Sequence, residues 1–192
     1  MDPTNIFIAL NLIATFGANL SGAKKGLKEK VTLAKEKPET YLQKFPLILS
    51  TLSLIGIILG VFQVGTLEYK PEYESTRLIG LAVYIIFSWL QIMVYKTLGD
   101  SYSQDVMIMK DHRLITSGPF KLIRHPQYLF QILLDIGGGI ATLSYIVIII
   151  AVIEIPFLIM RALLEEKLLS KHFKEAFAVY KNKTRFMIPF IG

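Results

Sequence analysis

Five apolar runs divide this chain, and an uncharged one of 20 residues leaves little freedom in what it can fold into. Phe45–Val64 is 20 residues without a charge, and a helix of about 20 such residues matches the ~30 Å hydrocarbon core of a bilayer. Ile6–Leu20, Leu78–Tyr95, Tyr128–Leu143 and Tyr145–Leu164 repeat the pattern. The first and fourth of the five are short, so they must borrow flanking residues or sit in thinned lipid. The last two follow almost without a break, are too long for one span, and leave room only for a tight turn near Thr142–Ser144. They read as a helical hairpin. Charged residues make up 19% of the chain, below the ~25% of a soluble domain. The expected fold class is all-α: an integral membrane bundle of five transmembrane helices, one domain over 1–192, with spans near 6–20, 45–64, 78–95, 128–143 and 145–164.

The basic residues support that order. Lys and Arg number 7 in the 21–44 connection, 5 in 96–126 and 6 from 165 onward, against 2 in 65–77. Positive charge concentrates on the cytoplasmic side of membrane proteins, which places the N-terminus outside and the tail inside. Met1-Asp2-Pro3 lacks a basic leader, so the first run is expected to stay as a helix. Cys is absent and His numbers 3, which excludes disulfide scaffolds and thiol chemistry and leaves no expected metal site. Nothing points to nucleic acid; the Lys-rich 21–44 connection reads as a face touching anionic lipid. Gly56 with Gly60, and Gly137 to Gly139, would let neighbouring helices approach closely. Pro156 removes the helical donor for the Val152 carbonyl and should kink the fifth helix.

Chemistry concentrates in the loop 96–127 and the tail 165–192, both on the expected cytoplasmic side. The loop carries His112-Arg113-Leu114-Ile115, a turn at Ser117-Gly118-Pro119-Phe120, then Arg124-His125-Pro126-Gln127-Tyr128. Proline favours the first position of a helix, so His125 should cap the fourth one. The hairpin would bring His125 and Tyr128 to face Arg161, Glu165 and Glu166. Glu165 and Glu166 would oppose the dipole at a helix C-terminus, and Arg161 before Glu165 is the weaker order for an ion pair. Function therefore explains them better than helix stability. Leu168, Leu169, Phe173, Phe177 and Tyr180 form a helical stripe, and Ile188-Pro189-Phe190-Ile191 would fold back as a lid. Asp135 and Glu154 fall at similar depth near the midplane, where a charge costs ~3 kcal/mol or more. They are expected to face inward and to hydrogen-bond each other.

From about Leu98 to Ile191 the chain resembles the isoprenylcysteine carboxyl methyltransferase family. The resemblance rests on the ordered series His112-x-Leu-Ile, Ser117-Gly-Pro-Phe, Arg124-His-Pro-x-Tyr128, a hydrophobic hairpin, Glu165-Glu166-x-x-Leu169, then Phe173, Tyr180 and Ile188-Pro-Phe-Ile191. Phe120 stands where the family usually has Tyr, Phe130 where Gly often follows, and Lys174 where Gly often follows Phe. The resemblance implies S-adenosylmethionine as methyl donor, S-adenosylhomocysteine as product, and a prenylated cysteine or similar lipidic carboxylate entering from the bilayer. It implies that His112, Arg113, Leu114, Ile115, Phe120, His125, Pro126, Gln127, Tyr128 and Glu165 enclose the cofactor, with Glu166 and Tyr180 as further candidates. Arg161 would hold the acceptor carboxylate, a role that suits a planar fork of N–H donors. A short five-span chain is similar to prokaryotic members, implying the cell membrane; a eukaryotic one would sit in the endoplasmic reticulum. Three other readings stand beside it: a phospholipid or amine methyltransferase, a sterol-reductase-like membrane enzyme using NADPH, and a non-catalytic scaffold.

Overall fold

A computed structural model describes residues 2–29 and 34–189. It is the structure of a mostly helical integral membrane protein: α1 (Pro3–Glu29), α2 (Phe45–Val61), α3 (Glu74–Leu98), α4 (Pro126–Thr142), α5 (Tyr145–Phe173) and α6 (Glu175–Lys183). One feature departs from an all-helical fold. Strands β1 (Ala34–Glu36) and β2 (Ile108–Met109) pair antiparallel, because two connections emerging on the same side find in each other the backbone partners that no helix supplies. Residues 30–33 of the Lys-rich connection, and Phe190 and Ile191 of the expected lid, lie outside the described residues.

Among the described residues, three helices are long and apolar enough to cross a membrane: Tyr41–Val61, Pro71–Ser101 and Tyr145–Phe173. Pro3–Gly17 is a shorter apolar helix, and α4, at 17 residues, extends about 26 Å at 1.5 Å per residue. Exposed Leu47, Ile48, Ile55 and Ile58 on α2, with Ile149, Val152 and Leu163 on α5, give these helices apolar outer faces suited to lipid.

Glycine sets the closest approach. A Cβ on Gly137 of α4 would lie 2.7 Å from the backbone nitrogen of Tyr84, and one on Gly80 of α3 would lie 2.7 Å from that of Ala141. The two backbones therefore pack with no side chain between them. On α2, Gly56 and Gly60 leave room instead for side chains, those of Val147 and Thr142. Polar residues finish the bundle. Arg77 donates through Nη2 to Asp2 at 3.0 Å and through Nε to the Ala141 carbonyl at 2.9 Å. Asn11, an interruption in the first apolar run, donates to Ser88 and accepts from Trp89.

The α4–α5 hairpin closes in two residues. Leu143 takes a left-handed conformation (φ 57°), and the Ser144 hydroxyl caps α5 by accepting from the Val147 amide. From there α5 runs unbroken through Pro156 to Phe173, more than three turns beyond Arg161. That length overturns two expectations. Glu165 and Glu166 are mid-helical, so the helix dipole does not oppose them. The apolar stripe from Leu168 to Tyr180 is not one helix either, because the chain breaks at Lys174, with φ 47° and ψ −116°.

That backbone conformation belongs to glycine, and a lysine holding it is strained. Relief of strain worth about 1–3 kcal/mol, offset by the 0.5–1 kcal/mol that Gly loses in chain entropy, predicts that Lys174→Gly stabilises the protein by roughly 1 kcal/mol. Thermal unfolding of the purified chain checks this; an unchanged or lower Tm contradicts it.

Candidate functional site

An open cleft forms where the 101–115 loop, the start of α4, the middle of α5 and α6 meet. Its walls include His112, Arg113, Leu114, Ile115, Phe120, His125, Gln127, Tyr128, Arg161, Glu165 and Tyr180. Of the residues named from the sequence, only Pro126 and Glu166 do not line it. Pro126 is the first residue of α4 and is buried behind His125.

Each group reaches the cleft for a local reason. His125 is the residue before α4, and its amide donates to the Phe186 carbonyl at 3.1 Å. The tail crosses here: Ile123 bridges to Arg185 in parallel, and Arg124 donates to the Arg185 carbonyl at 2.8 Å. The His125 ring stacks on Tyr128 with centroids 5.7 Å apart, and its Nε2 lies 3.3 Å from Glu166 Oε1. Its Nδ1 faces Glu165 at 3.7 Å and, though buried, has no hydrogen-bond partner. The Tyr128 hydroxyl joins the two signs of charge. It donates to Glu165 Oε2 at 2.9 Å and accepts from Arg161 Nε at 3.3 Å.

Arg161 is held more firmly than its sequence position suggests. Nη1 donates to the carbonyls of Leu42 and Gln43 at 2.7 and 3.0 Å, and Nη2 donates to the carbonyl of Gln104. A guanidinium has five N–H groups, so a single one, on Nη2, is left uncommitted. The expected two-pronged fork is therefore not on offer, because three carbonyls from irregular backbone have already taken its prongs. Arg161 presents a fixed positive charge and one donor.

Adjacent carboxylates have separate tasks. Glu165 stays partly open to the cleft. Glu166 turns away and gathers Arg124 Nε at 2.5 Å, Lys181 Nζ at 3.0 Å and His125. Arg124 also donates to the Thr184 carbonyl at 2.6 Å, so Glu166 ties α5 to α6 and the tail. Successive helical residues point about 100° apart, which is why one faces ligand space and the other faces protein. Tyr180 donates to the Phe120 carbonyl at 2.8 Å, and burial pushes its phenol up to about 12, keeping that donor proton in place. Phe130, where the family often has Gly, packs on Phe87 of α3 at 5.5 Å.

Gln43 escaped the sequence reading. It pairs with Val106 in both directions, donating to its carbonyl and accepting from its amide at 2.8 Å each. With the exposed Lys37–Asp105 pair at 2.7 Å, it pins the cleft loop to the foot of α2. A lone Gln before an apolar helix carries no pattern to announce this. Gln43→Ala strands two buried backbone groups of Val106, which predicts faster amide hydrogen exchange over 104–108 by about tenfold or more. Unchanged exchange there would mean the loop is held by other contacts.

The family model of the isoprenylcysteine carboxyl methyltransferase family matches residues 78–171. Protein-S-isoprenylcysteine O-methyltransferase of Saccharomyces cerevisiae is 31% identical over 127 residues, covering 65% of this chain and 53% of the yeast protein. The chain thus spans about half the length of that relative. A solved structure of a eukaryotic intramembrane Ras methyltransferase, an isoprenylcysteine carboxyl methyltransferase, superposes with a TM-score of 0.58 at 23% identity, over 76% of this chain and 52% of that one. The matched stretch from α3 to α5, with the loop between them, makes this half of the chain similar to the isoprenylcysteine carboxyl methyltransferase family, and the fold is like that of the solved methyltransferase.

Proposed function

We propose that the cleft binds S-adenosylmethionine and directs methyl transfer to the carboxylate of a prenylated cysteine, or of a similar lipidic acid, that enters from the bilayer. α1 and α4 join the three longer helices to make five spans, with the N-terminus outside and the cleft facing the cytoplasm, as the distribution of Lys and Arg favours. The observation that carries the reading is the Arg161–Tyr128–Glu165 chain, which holds a cation and an anion of the protein about one hydroxyl apart on the wall of one cleft.

The donor set fits the cofactor. Glu165 is an acceptor for an ammonium group or for ribose hydroxyls. The unpartnered His125 Nδ1 is a buried polar atom awaiting a ligand, and Phe120, Leu168 and Phe177 give the apolar walls that a purine needs. When bound, S-adenosylmethionine supplies an electrophilic methyl group. The protein's own residues do the positioning. An acceptor carboxylate is already ionised at neutral pH, so no residue has to remove a proton from it. Arg161 attracts it by charge and by its last Nη2 N–H. The Tyr128 hydroxyl fixes the distance between Arg161 and Glu165, and so between the two ligands they serve. Alignment of this kind is worth several kcal/mol in a displacement reaction.

Calorimetric titration with S-adenosylhomocysteine tests the cofactor assignment. Glu165→Ala removes a charge-assisted bond and is expected to weaken binding by at least about tenfold. Equal affinity in the variant and the parent would take Glu165 out of the cofactor site.

A further inference from the structure

A second pocket, open on one side, lies between α1, α2, α3 and α4, with about 220 Å³ of space. Its lining includes the polar residues Ser50, Tyr84, Gln91, Gln131 and Asp135. Asp135 of α4 and Glu154 of α5 meet beside it and are 1% and 0% exposed. Gln131 donates to Asp135 Oδ2 at 2.8 Å and Ser50 donates to Glu154 Oε1. Among the described residues no Lys, Arg or His pairs with either carboxylate.

Two facing carboxylates with no basic partner need a proton or a cation between them, since each charge alone would be costly in this setting. A second feature points to the cation. Gln91, 5% exposed, spends its amide N–H on the Tyr95 hydroxyl at 2.7 Å and leaves Oε1 buried with no partner on the cavity lining. Glu154 and Asp135 share a side-chain hydrogen bond, as expected from the sequence, so the Gln91 oxygen is the group that stays unpaired beside them. The available groups are carboxylate, amide and hydroxyl oxygens, with no nitrogen or sulfur ligand, and this is the set that hard cations take. The cavity has room for the waters that would complete a coordination shell.

We propose that this cavity binds a hard metal cation, held by Asp135 and Glu154 with the Gln91 amide oxygen and Ser50 hydroxyl as neutral ligands. Its ligands come from α2, α3, α4 and α5, so the ion would clamp the bundle above the cleft. The site stands apart from the methyl-transfer reading and is tested by stability alone.

The test uses the full chain, stripped with EDTA, in nanodiscs of zwitterionic phosphatidylcholine. Thermal unfolding is followed in choline chloride, NaCl and CaCl2 at matched ionic strength. Na+ or Ca2+ is expected to raise Tm by on the order of 5 °C, saturating with concentration, relative to choline. The salt that gives the rise tells monovalent from divalent. Asp135→Asn should abolish the rise, and Glu154→Gln stands in if that variant does not fold. Identical melting of the parent chain in all three salts overturns the proposal and leaves a shared proton between the carboxylates. A rise that survives both substitutions also overturns it, because the ion then binds elsewhere.

Discussion

Arg161→Lys is expected to lower methyl transfer by about 10²- to 10³-fold, although charge is conserved, because fixed donors at a reacting centre contribute on this scale. One guanidinium reaches Tyr128, Leu42, Gln43 and Gln104 at once. A lysine ammonium has three donors on a flexible stem and cannot span that set. It would leave buried carbonyls unpaired and let the Tyr128 hydroxyl turn wholly toward Glu165. The acceptor carboxylate would lose its anchor while the aromatic and apolar cofactor walls stayed in place. Affinity for S-adenosylhomocysteine should therefore fall far less than turnover. A matched fall in both would make Arg161 a structural post for the 42–43 and 104 backbone. Turnover within a few-fold of the parent chain would remove it from the reaction.

Glu166→Ala should produce the largest loss of stability. The carboxylate is nearly buried and is the shared anion for Arg124 and Lys181, so its removal leaves a buried guanidinium without a counter-charge. Breaking such a pair costs about 3–5 kcal/mol, a fall in Tm on the order of 10 °C for a chain of this size. The loss should be local before it is global. Arg124 also holds the Thr184 carbonyl, and the next residues of the tail take the Arg124 and His125 amides. Amide hydrogen exchange at Arg124, His125 and Arg185 should accelerate at temperatures where the transmembrane helices are still intact. A small Tm change with those amides still protected would show that the tail is held without Glu166. The comparison with Glu165→Ala is informative, since the two acids are adjacent. One substitution should act on ligand affinity and the other on stability.

Much of this was legible in the sequence, and the gaps have physical causes. Apolar length set the hairpin near Thr142–Ser144, because a turn there is the only way to use both runs. Proline after His125 marked the start of α4, since it has no N–H to lose at that position. The order of polar residues around the hairpin was enough to collect one cleft. Tertiary information was missing elsewhere. Spacing alone made Glu165 and Glu166 both candidates for the cleft, and the positions of Arg124 and Lys181 are what give Glu166 its separate task. The fork of Arg161 seemed free because no pattern predicts which irregular carbonyls will need donors. Gln43 was invisible for the converse reason: its partner lies 63 residues away. The end of α5 was misplaced because apolarity ends near Leu164, whereas the helix continues until Lys174 breaks it.

Transfer of a labelled methyl group decides the central claim. The purified full chain is incubated with methyl-labelled S-adenosylmethionine and a simple prenylcysteine, and the product is treated with base. A carboxyl methyl ester hydrolyses, so the predicted result is label released as volatile methanol, dependent on the prenyl chain and lowered about 10²- to 10³-fold by Arg161→Lys. Label that stays in a base-stable product would indicate an amine acceptor. No transfer to any prenyl or lipid acceptor, together with no calorimetric binding of S-adenosylhomocysteine, would contradict the proposed activity outright.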